Sequence, residues 1–307
     1  MSYNMVSKYQ IKSNLSEAQV ESDVASFFGW ISKSAPFRLH DVNEQLTGAD
    51  KKFYDRGFAF LMQFKKSEGL YSASQVPVST RKNRSKLEDI REFRHYHGLS
   101  DDPTLYFPLR KKALKANDLQ HNVLLEYANQ RCSQAFYVAP LALDKQSYYD
   151  SLFDSVNRYH HFPFRYKRYR LHRNDWVSTI GFVPFLKDHI SIIPHERVTT
   201  HDHYYSFSGT GSDIGWHSPK IISKSPMRLA DLLSSEIQSC ISDDKFLDVS
   251  ELPKELEIKP YKYNMDTDEP LAALRAWGEE MYNSHGIKVF ILLSNSSILE
   301  EYRMEFA

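Results

Sequence analysis

The chain has 307 residues, of which 41% are hydrophobic and 25% charged, and its formal net charge at pH 7 is +0. This length and composition are typical of a globular protein with one large or two modest domains. The sequence contains no apolar run long enough to predict a membrane-spanning helix. The only cysteines, Cys132 and Cys240, lack a paired spacing, which argues against a disulfide framework or a zinc ribbon. The N-terminal sequence lacks the order of a secretion signal, so we expect a cytoplasmic protein with no membrane partner.

The first predicted element is an amphipathic helix over residues 16–31, SEAQVESDVASFFGWI. Its apolar residues recur at helical spacing: Val20, Val24, Phe27, Phe28 and Ile31. Glu17 and Glu21 lie one turn apart on one side of this helix. The next clear signal is GFAFLMQF (57–64), an apolar run whose length and flanks predict a strand covered on both faces.

The following segments complete an α/β order. RKNRSKLEDIREFRHYHG predicts a solvated helix ending at Gly98, and TLYFPLRK predicts a short edge strand limited by Pro108. ANDLQHNVLLEYANQR predicts a helix capped by Asn117 or Asp118, and AFYVAPLAL predicts a second buried strand. From residue 158 the pattern changes to short segments with turn signals such as GTGSD, then helices at about 226–241 and 269–284 and the strand IKVFILLS.

Two polar residues interrupt the buried strand at its end. Residues i and i+2 of a strand share a face, so Gln63 and Lys65 point together while Phe60, Met62 and Phe64 pack behind. If a hairpin brings Asp50 of TGAD opposite that face, a carboxylate, an amide oxygen and an ammonium meet. Asp50 and the Gln63 carbonyl would then hold a divalent cation together with water, and Lys65 would orient or help deprotonate an attacking water and offset phosphate charge.

TGAD followed by LMQFK resembles the D…(E/Q)xK signature of the PD-(D/E)xK, or restriction-endonuclease-like, nuclease superfamily. In that family the aspartate sits on one strand of a hairpin, the ExK or QxK on the next, and a glutamate from the first helix often joins the metal shell. The resemblance covers roughly residues 15–145. It implies an α/β fold whose restriction-endonuclease-like core, a mixed central sheet flanked by helices, occupies residues 1–157, followed by a second α+β portion over 158–307.

Carried over by position, the resemblance makes Asp50 the first metal ligand, Gln63 the second and Lys65 the catalytic lysine. Glu17 or Glu21 would be the helix acid, and Glu21 is favoured as the third metal ligand because its turn lies further into the helix.

Gln120, on the helix after the core strands, matches a supporting polar residue of some family members. The sequence departs from the family pattern at Gln63, which is neutral where glutamate is commoner, so the site would bind Mg²⁺ (or Mn²⁺) more weakly. No proline precedes Asp50, and the motif is the GAD variant.

Charge is distributed unevenly along the chain. Basic residues recur from Lys51 to Lys115, where they include Arg110, Lys111 and Lys112, and acids dominate after residue 230. RYHHFPFRYKRYRLHR (158–173) interleaves cations with aromatic rings, which suits a phosphate backbone and stacking on unpaired bases; the alternative is a solvated β-ribbon or a linker. The cations assigned to nucleic-acid binding are Lys66, Arg165, Lys167, Arg168, Arg170 and Arg173.

Two further patterns have simpler interpretations. His195, His201, His203 and His217 cluster in sequence, but without a third ligand at zinc spacing an exposed hairpin or a phosphate contact is favoured over a metal site. SGTGS (208–212) has no GK[ST] after it and is interpreted as a turn.

The sequence therefore predicts a metal-dependent endonuclease that hydrolyses phosphodiester bonds in DNA, with RNA as an open alternative. The family resemblance implies a setting in phage or mobile-element defence. A second hypothesis is a catalytically inactive nuclease-fold subunit that binds nucleic acid or a protein within a larger complex or homo-oligomer. A third is an interaction protein in which Gln63 and Lys65 close a polar network.

Overall fold

The computed structural model describes residues 9–31, 37–41, 54–76, 85–101, 103–154, 183–217, 220–258 and 270–304. The strands within these ranges are β1 (Gln10–Ile11), β2 (Phe37–Asp41), β3 (Arg56–Phe64), β4 (Glu68–Leu70), β5 (Thr104–Pro108), β6 (Ser133–Pro140), β7 (His189–Ile192), β8 (Tyr204–Ser208), β9 (Ile214–His217), β10 (Lys220–Ser223), β11 (Leu247–Asp248) and β12 (Lys288–Ser294). The helices are α1 (Glu17–Ile31), α2 (Lys86–Tyr96), α3 (Gln120–Ala128), α4 (145–154), α5 (Pro184–Lys187), α6 (Leu229–Ser242), α7 (Leu252–Glu255), α8 (Pro270–Glu280) and α9 (Ser296–Met304).

The strands form two sheets. The mixed sheet has the order β2-β12-β3-β6-β7, with β11 also paired to β3, and its β3–β6 pair is parallel. The antiparallel sheet has the order β1-β4-β5-β8-β9-β10. The chain is therefore an α/β protein with a mixed and an antiparallel sheet flanked by helices. No helix in the described ranges is both long and apolar enough to cross a membrane.

Strand β3 is the centre of the mixed sheet and is buried on both faces, as its apolar run predicts. Its phenylalanines and Met62 lie in one core cluster with the apolar stripe of α1 and with α6. Ala59 and Leu61 lie in a second cluster, which fills the space between the two sheets together with Phe107 of β5 and Tyr205 of β8. Because burying each large apolar side chain contributes about 1.5–3 kcal/mol, this two-sided packing fixes the register of β3.

The register of β3 confirms that Gln63 and Lys65 share a face opposite to Phe64. Phe64 belongs to the cluster on the α1 side. The Lys65 backbone N–H continues the ladder beyond β3 by donating to Val138 O on β6 at 2.8 Å. The polar pair therefore lies on the side of the mixed sheet that faces the antiparallel sheet.

Strands that are neighbours in the sheets are often far apart along the chain. Strands β7 and β12 join the mixed sheet and β8–β10 join the antiparallel sheet, so the strands do not separate at the predicted boundary after residue 157. Strand β12 pairs with both β2 and β3 and lies between them. A hairpin strand carrying Asp50 lies outside the described residues.

Two local predictions need correction. Strand β5 is not an edge strand, because it pairs with β4 on one side and β8 on the other; Pro108 is its last residue, where a missing N–H costs little. Helix α2 is not simply solvated either. Arg91 and Arg94 are buried in it because backbone carbonyls and the carboxylates of Glu88 and Asp213 accept their hydrogen bonds.

Candidate active site at the end of strand β3

Gln63 and Lys65 lie where the chain passes from one sheet to the other. After Lys65, the Ser67 hydroxyl donates to Pro140 O at 2.5 Å, and the next residue, Glu68, begins β4 of the antiparallel sheet. Both Gln63 and Lys65 are only 4% exposed. An amide and an ammonium are thus buried together at the junction of the two sheets.

The Gln63 side chain is held at both ends. Its Nε2 donates to Phe64 O at 2.7 Å, and its Oε1 accepts a hydrogen bond from Nε2 of Gln120. Gln120 is the first residue of α3, where Asp118 Oδ1 accepts the Leu119 N–H at 2.7 Å. The structure therefore brings together the two glutamines that the sequence placed 57 residues apart.

Gln120 connects this pair to the chain before β12. The same Nε2 donates to the carbonyl of His285, and Arg110 Nη1 donates to that carbonyl at 3.2 Å. Gly286 follows with φ +66°, and a Cβ at this position would clash with the Arg110 guanidinium. Gln120 Oε1 is buried and has no hydrogen-bond partner among the described residues.

Lys65 faces a cavity of about 680 Å³. Its charged and polar lining comprises Gln10, Glu17, Lys65, Lys66, Glu68 and Arg110. Burial lowers the pKa of Lys65 to about 8; the charge of Glu17 opposes this shift and that of Arg110 adds to it. A lysine in this environment exists in both protonation states close to neutral pH.

The two helix glutamates lie in different surroundings. Glu17 lines the cavity with Lys65. Glu21 Oε1 is 3.6 Å from Lys288 Nζ, which is 2.6 Å from Asp41 Oδ2. Burial raises the pKa of Glu21, and the charge of Lys288 opposes this. Lys288 is paired with Met62, whose side chain points away from the Gln63 face, so the geometry favours Glu17 over Glu21 as the acid beside Lys65.

Several predicted residues lie outside the described ranges: Asp50, Arg165, Lys167, Arg168, Arg170 and Arg173. Lys66 is described; its Nζ is 2.8 Å from Glu68 Oε1, and it lines the cavity beside Lys65.

The described residues offer only part of the ligand set that a divalent cation needs. No three His, Cys, Asp or Glu side chains of the described residues come together in a way that could hold a metal ion. The Gln63 amide lies on the face of the chain that carries Lys65, and the Glu17 and Glu68 carboxylates line the cavity with Lys65. Such oxygen donors are of the type that Mg²⁺ and Mn²⁺ prefer, and the sequence prediction adds Asp50, which lies outside the described residues.

Two of the clustered histidines, His195 and His203, pack against Trp216. The ring of His203 stacks on Trp216 at 5.0 Å, and that of His195 meets it edge-on at 5.3 Å. His217 Nε2 is hydrogen-bonded to Ser206 Oγ at 2.9 Å, and burial lowers its pKa to about 4. These contacts are those of packed and hydrogen-bonded side chains.

A second cavity, of about 740 Å³, lies between α2 and strands β8 and β9. It is lined by Phe93, Tyr96 and Tyr204, with Lys86 and Asp202 at its edge. Lys86 is about half exposed and its Nζ is 2.9 Å from Asp202 Oδ1. Lys65, whose pKa is lowered, lines the 680 Å³ cavity together with Glu17 and Arg110, which makes that cavity the candidate active site.

The sequence did not single out Arg110 or the His285 carbonyl as parts of the site. Arg110 was noted only as one charge in a basic run, and the local signal at Gly286, a glycine between a helical pattern and a strand, predicts a turn but not its contact with Arg110. Comparison with protein-family models, curated proteins and solved structures gives no match. The assignment of a function therefore rests on the TGAD and QFK motifs and on the arrangement around Lys65.

Proposed function

We propose that this chain is a metal-dependent endonuclease that hydrolyses phosphodiester bonds in DNA, built on a restriction-endonuclease-like core. The observation that carries the proposal is Lys65: a lysine buried beside an amide at the end of the central strand, with a pKa lowered to about 8, facing a cavity that also contains a carboxylate and an arginine. Strong perturbation of a titratable group in a cleft is typical of catalytic sites.

Lys65 is assigned the proton transfer. In its neutral form, Nζ accepts a proton from the attacking water as the water oxygen forms a bond to phosphorus. The bond from phosphorus to the leaving oxygen breaks, and that oxygen takes a proton from solvent. The lysine ammonium formed in this step lies beside the phosphate and offsets its negative charge.

Mg²⁺ or Mn²⁺ would be held by Asp50, the Gln63 amide oxygen and a carboxylate of α1, for which Glu17 is the better placed and Glu21 the alternative. Bound there, the ion supplies Lewis acidity toward the water and the phosphate oxygens. Gln120 would hold the Gln63 amide in one orientation, since it donates to the Gln63 oxygen from the first turn of α3.

The neutral Gln63 is consistent with a lysine that acts as a base. A glutamate in its place would stabilise the ammonium and raise the pKa of Lys65 toward its ordinary value. Glutamine instead supplies an oxygen donor without that effect, so the proton-accepting form of Lys65 is populated near neutral pH. Glutamine is also expected to bind the metal more weakly than glutamate would.

The test is incubation of the purified protein with plasmid, linear duplex DNA, single-stranded DNA and RNA, in Mg²⁺, Mn²⁺ or EDTA, beside Lys65→Ala and Asp50→Ala. The proposal predicts cleavage of DNA that needs the metal and is lost in both variants. Cleavage that survives both substitutions would place the chemistry elsewhere in the chain and overturn the proposal. The choice among the four substrates identifies the preferred nucleic acid.

The alternative is a nuclease-fold subunit that binds nucleic acid without cleaving it. One observation favours it: both ends of the Gln63 amide are already hydrogen-bonded within the protein. That function predicts salt-sensitive DNA binding of equal strength in EDTA and in Mg²⁺, unchanged in Asp50→Ala, and no cleavage by any form of the protein. A role in phage or mobile-element defence fits either function.

A further inference from the structure

A basic loop, residues 110–115, connects β5 to α3. It contains Arg110, Lys111, Lys112 and Lys115 and no acidic residue, and all four cations are exposed. Leu114, between the last two lysines, is fully exposed. An exposed leucine alone is unremarkable, but here it projects from a cluster of like charges at a loop tip.

The protein holds the basic loop in place at both ends. Leu109 and Ala116, which flank it, are buried. Arg110 Nη1 donates to His285 O at 3.2 Å, Lys112 Nζ donates to Asn117 O at 2.9 Å, and the Ala116 N–H donates to Ala113 O at 3.0 Å. These contacts give the loop a defined shape in which the four cations and Leu114 remain exposed.

The neighbouring acids offset only part of the charge of the loop. Asp118 follows it; its carboxylate accepts the Leu119 N–H, forms an ion pair with Arg197 and also interacts with the charge of Lys112. On the cavity side, Glu68 is paired with Lys66 at 2.8 Å. The basic loop thus keeps a net positive charge that a polyanion would complement.

The basic loop also begins at the wall of the candidate active site. Leu109 and Arg110 line the same cavity as Lys65. A phosphate that reached Lys65 would therefore pass Arg110, and the neighbouring phosphates of the same strand would lie along the loop.

We propose that the basic loop is the DNA-binding element beside the candidate active site, an inference that rests on the proposed function. Arg110 binds a phosphate at the cavity. The three lysines bind phosphates next to it, and Leu114 contacts the bases as an apolar wedge. Leucine is among the side chains that proteins insert between base steps, and lysine–phosphate contacts supply the salt-dependent affinity that holds such a wedge in place.

The test measures binding of a labelled DNA duplex by fluorescence anisotropy in EDTA, over a series of salt concentrations. The loop variant is the triple substitution Lys111→Gln, Lys112→Gln and Lys115→Gln. The control variant removes three exposed lysines elsewhere, Lys220→Gln, Lys224→Gln and Lys254→Gln, so both variants carry the same net charge. Leu114→Ala is measured beside them, and thermal unfolding of each variant checks the fold.

The loop triple variant is expected to bind on the order of tenfold or more weakly, and its slope of log affinity against log salt should fall by about 2 to 3, since each phosphate contact contributes about 0.9. The control triple variant should keep the wild-type slope. Leu114→Ala should weaken binding severalfold with no change in slope, because it removes no charge. Its exposure predicts an unchanged unfolding temperature.

Because binding is measured without metal, the outcome does not depend on cleavage. If the protein cleaves no DNA but the loop variants lose binding and the control does not, the basic loop is a DNA-binding element and only the nuclease function fails. If the loop and control triple variants bind alike, the proposal is overturned. It is equally overturned if Leu114→Ala leaves DNA binding unchanged and instead alters the oligomeric state, which would make the loop a protein contact.

Discussion

The side-chain nitrogen of Gln120 donates a hydrogen bond to the side-chain oxygen of Gln63 and ties the first turn of α3 to the end of β3. The same nitrogen donates to the carbonyl of His285, so one amide joins three segments at the candidate active site. Both acceptors are distant from Gln120 in the sequence. The geometry of the candidate active site therefore depends on a side chain that does not line the cavity.

Gln120→Ala is expected to destabilise the protein by about 1–3 kcal/mol, because it leaves the buried Gln63 oxygen without its donor and leaves the His285 carbonyl with Arg110 alone. Urea unfolding measures this change. The control is Gln19→Ala, which removes a hydrogen bond to Asp23 on the surface of α1 and should change stability by no more than about 0.5 kcal/mol. Equal effects of the two substitutions would contradict a structural role for Gln120 at the site.

Lys65→Met is expected to stabilise the protein at neutral pH. Burial lowers the pKa of Lys65 from 10.5 to about 8, so the folded state binds this proton more weakly than the unfolded state. At about 1.4 kcal/mol for each pKa unit, the charged lysine costs about 3 kcal/mol below pH 8. A variant without the charge avoids this cost, as is common when a buried polar group that serves function is replaced by an apolar one.

The lowered pKa of Lys65 also sets how the free energy of unfolding changes with pH. Between pH 8 and 10.5 the unfolded state holds a proton that the folded state has released, so the wild-type free energy of unfolding rises through that range relative to Lys65→Met. Urea unfolding of both proteins at pH 7, 9 and 10.5 measures the difference. A difference that stays constant over these pH values would show that Lys65 has an ordinary pKa.

The sequence predicted those parts of the site that depend on local periodicity. The sequence predicted strand β3 from its continuous apolar run and helix α1 from the helical spacing of its apolar residues. The shared face of Gln63 and Lys65 follows from the two-residue repeat of a strand. Gln120 was placed on the next helix, but its hydrogen bond to Gln63 became visible only in the structure.

Strand order and other features that depend on long-range pairing have no local signal in the sequence. Nothing in IKVFILLS indicates that β12 lies between β2 and β3, and nothing in TLYFP indicates that β5 is an interior strand. The choice between Glu17 and Glu21 likewise depends on Lys288, far away in the chain, which pairs with Glu21. Pairing partners in a sheet are selected by tertiary packing, so strand residues alone do not identify them.

Gln63→Glu should both strengthen metal binding and change the pH dependence of the cleavage rate. The added carboxylate supplies a charged oxygen donor, which lowers the Mg²⁺ concentration needed for half-maximal cleavage, and it raises the pKa of Lys65 by stabilising the ammonium. The cleavage rate of the variant should therefore reach its plateau at a higher pH than the wild type. Titrations with Mg²⁺ at several pH values measure both effects, and a variant with an unchanged Mg²⁺ requirement would remove Gln63 from the metal site.

Breaking the ion pair of Arg94 and Asp213 is expected to lower the free energy of unfolding more than breaking the pair of Arg197 and Asp118. Arg94 is fully buried, and its Nη2 is 2.5 Å from Asp213 Oδ1, joining α2 to the antiparallel sheet. Arg94→Met leaves a buried carboxylate unpaired and should cost about 3–5 kcal/mol in urea unfolding. Arg197→Met breaks a pair in which the arginine is 66% exposed and should cost less than about 1 kcal/mol. A reversed order would contradict the burial of Arg94.

The most direct measurement is the single-turnover rate of DNA cleavage in Mg²⁺ as a function of pH, for the wild type, Lys65→Arg and the exposed control Lys224→Arg. If Lys65 accepts the proton, the wild-type and control rates rise with pH and level off near 8, the pKa of Lys65. Lys65→Arg keeps the charge but cannot give up its proton, so it should lose at least about 100-fold in rate and show no rise through pH 8. Cleavage by Lys65→Arg at the wild-type rate, with the wild-type pH profile, would contradict the assignment of Lys65 as the catalytic residue.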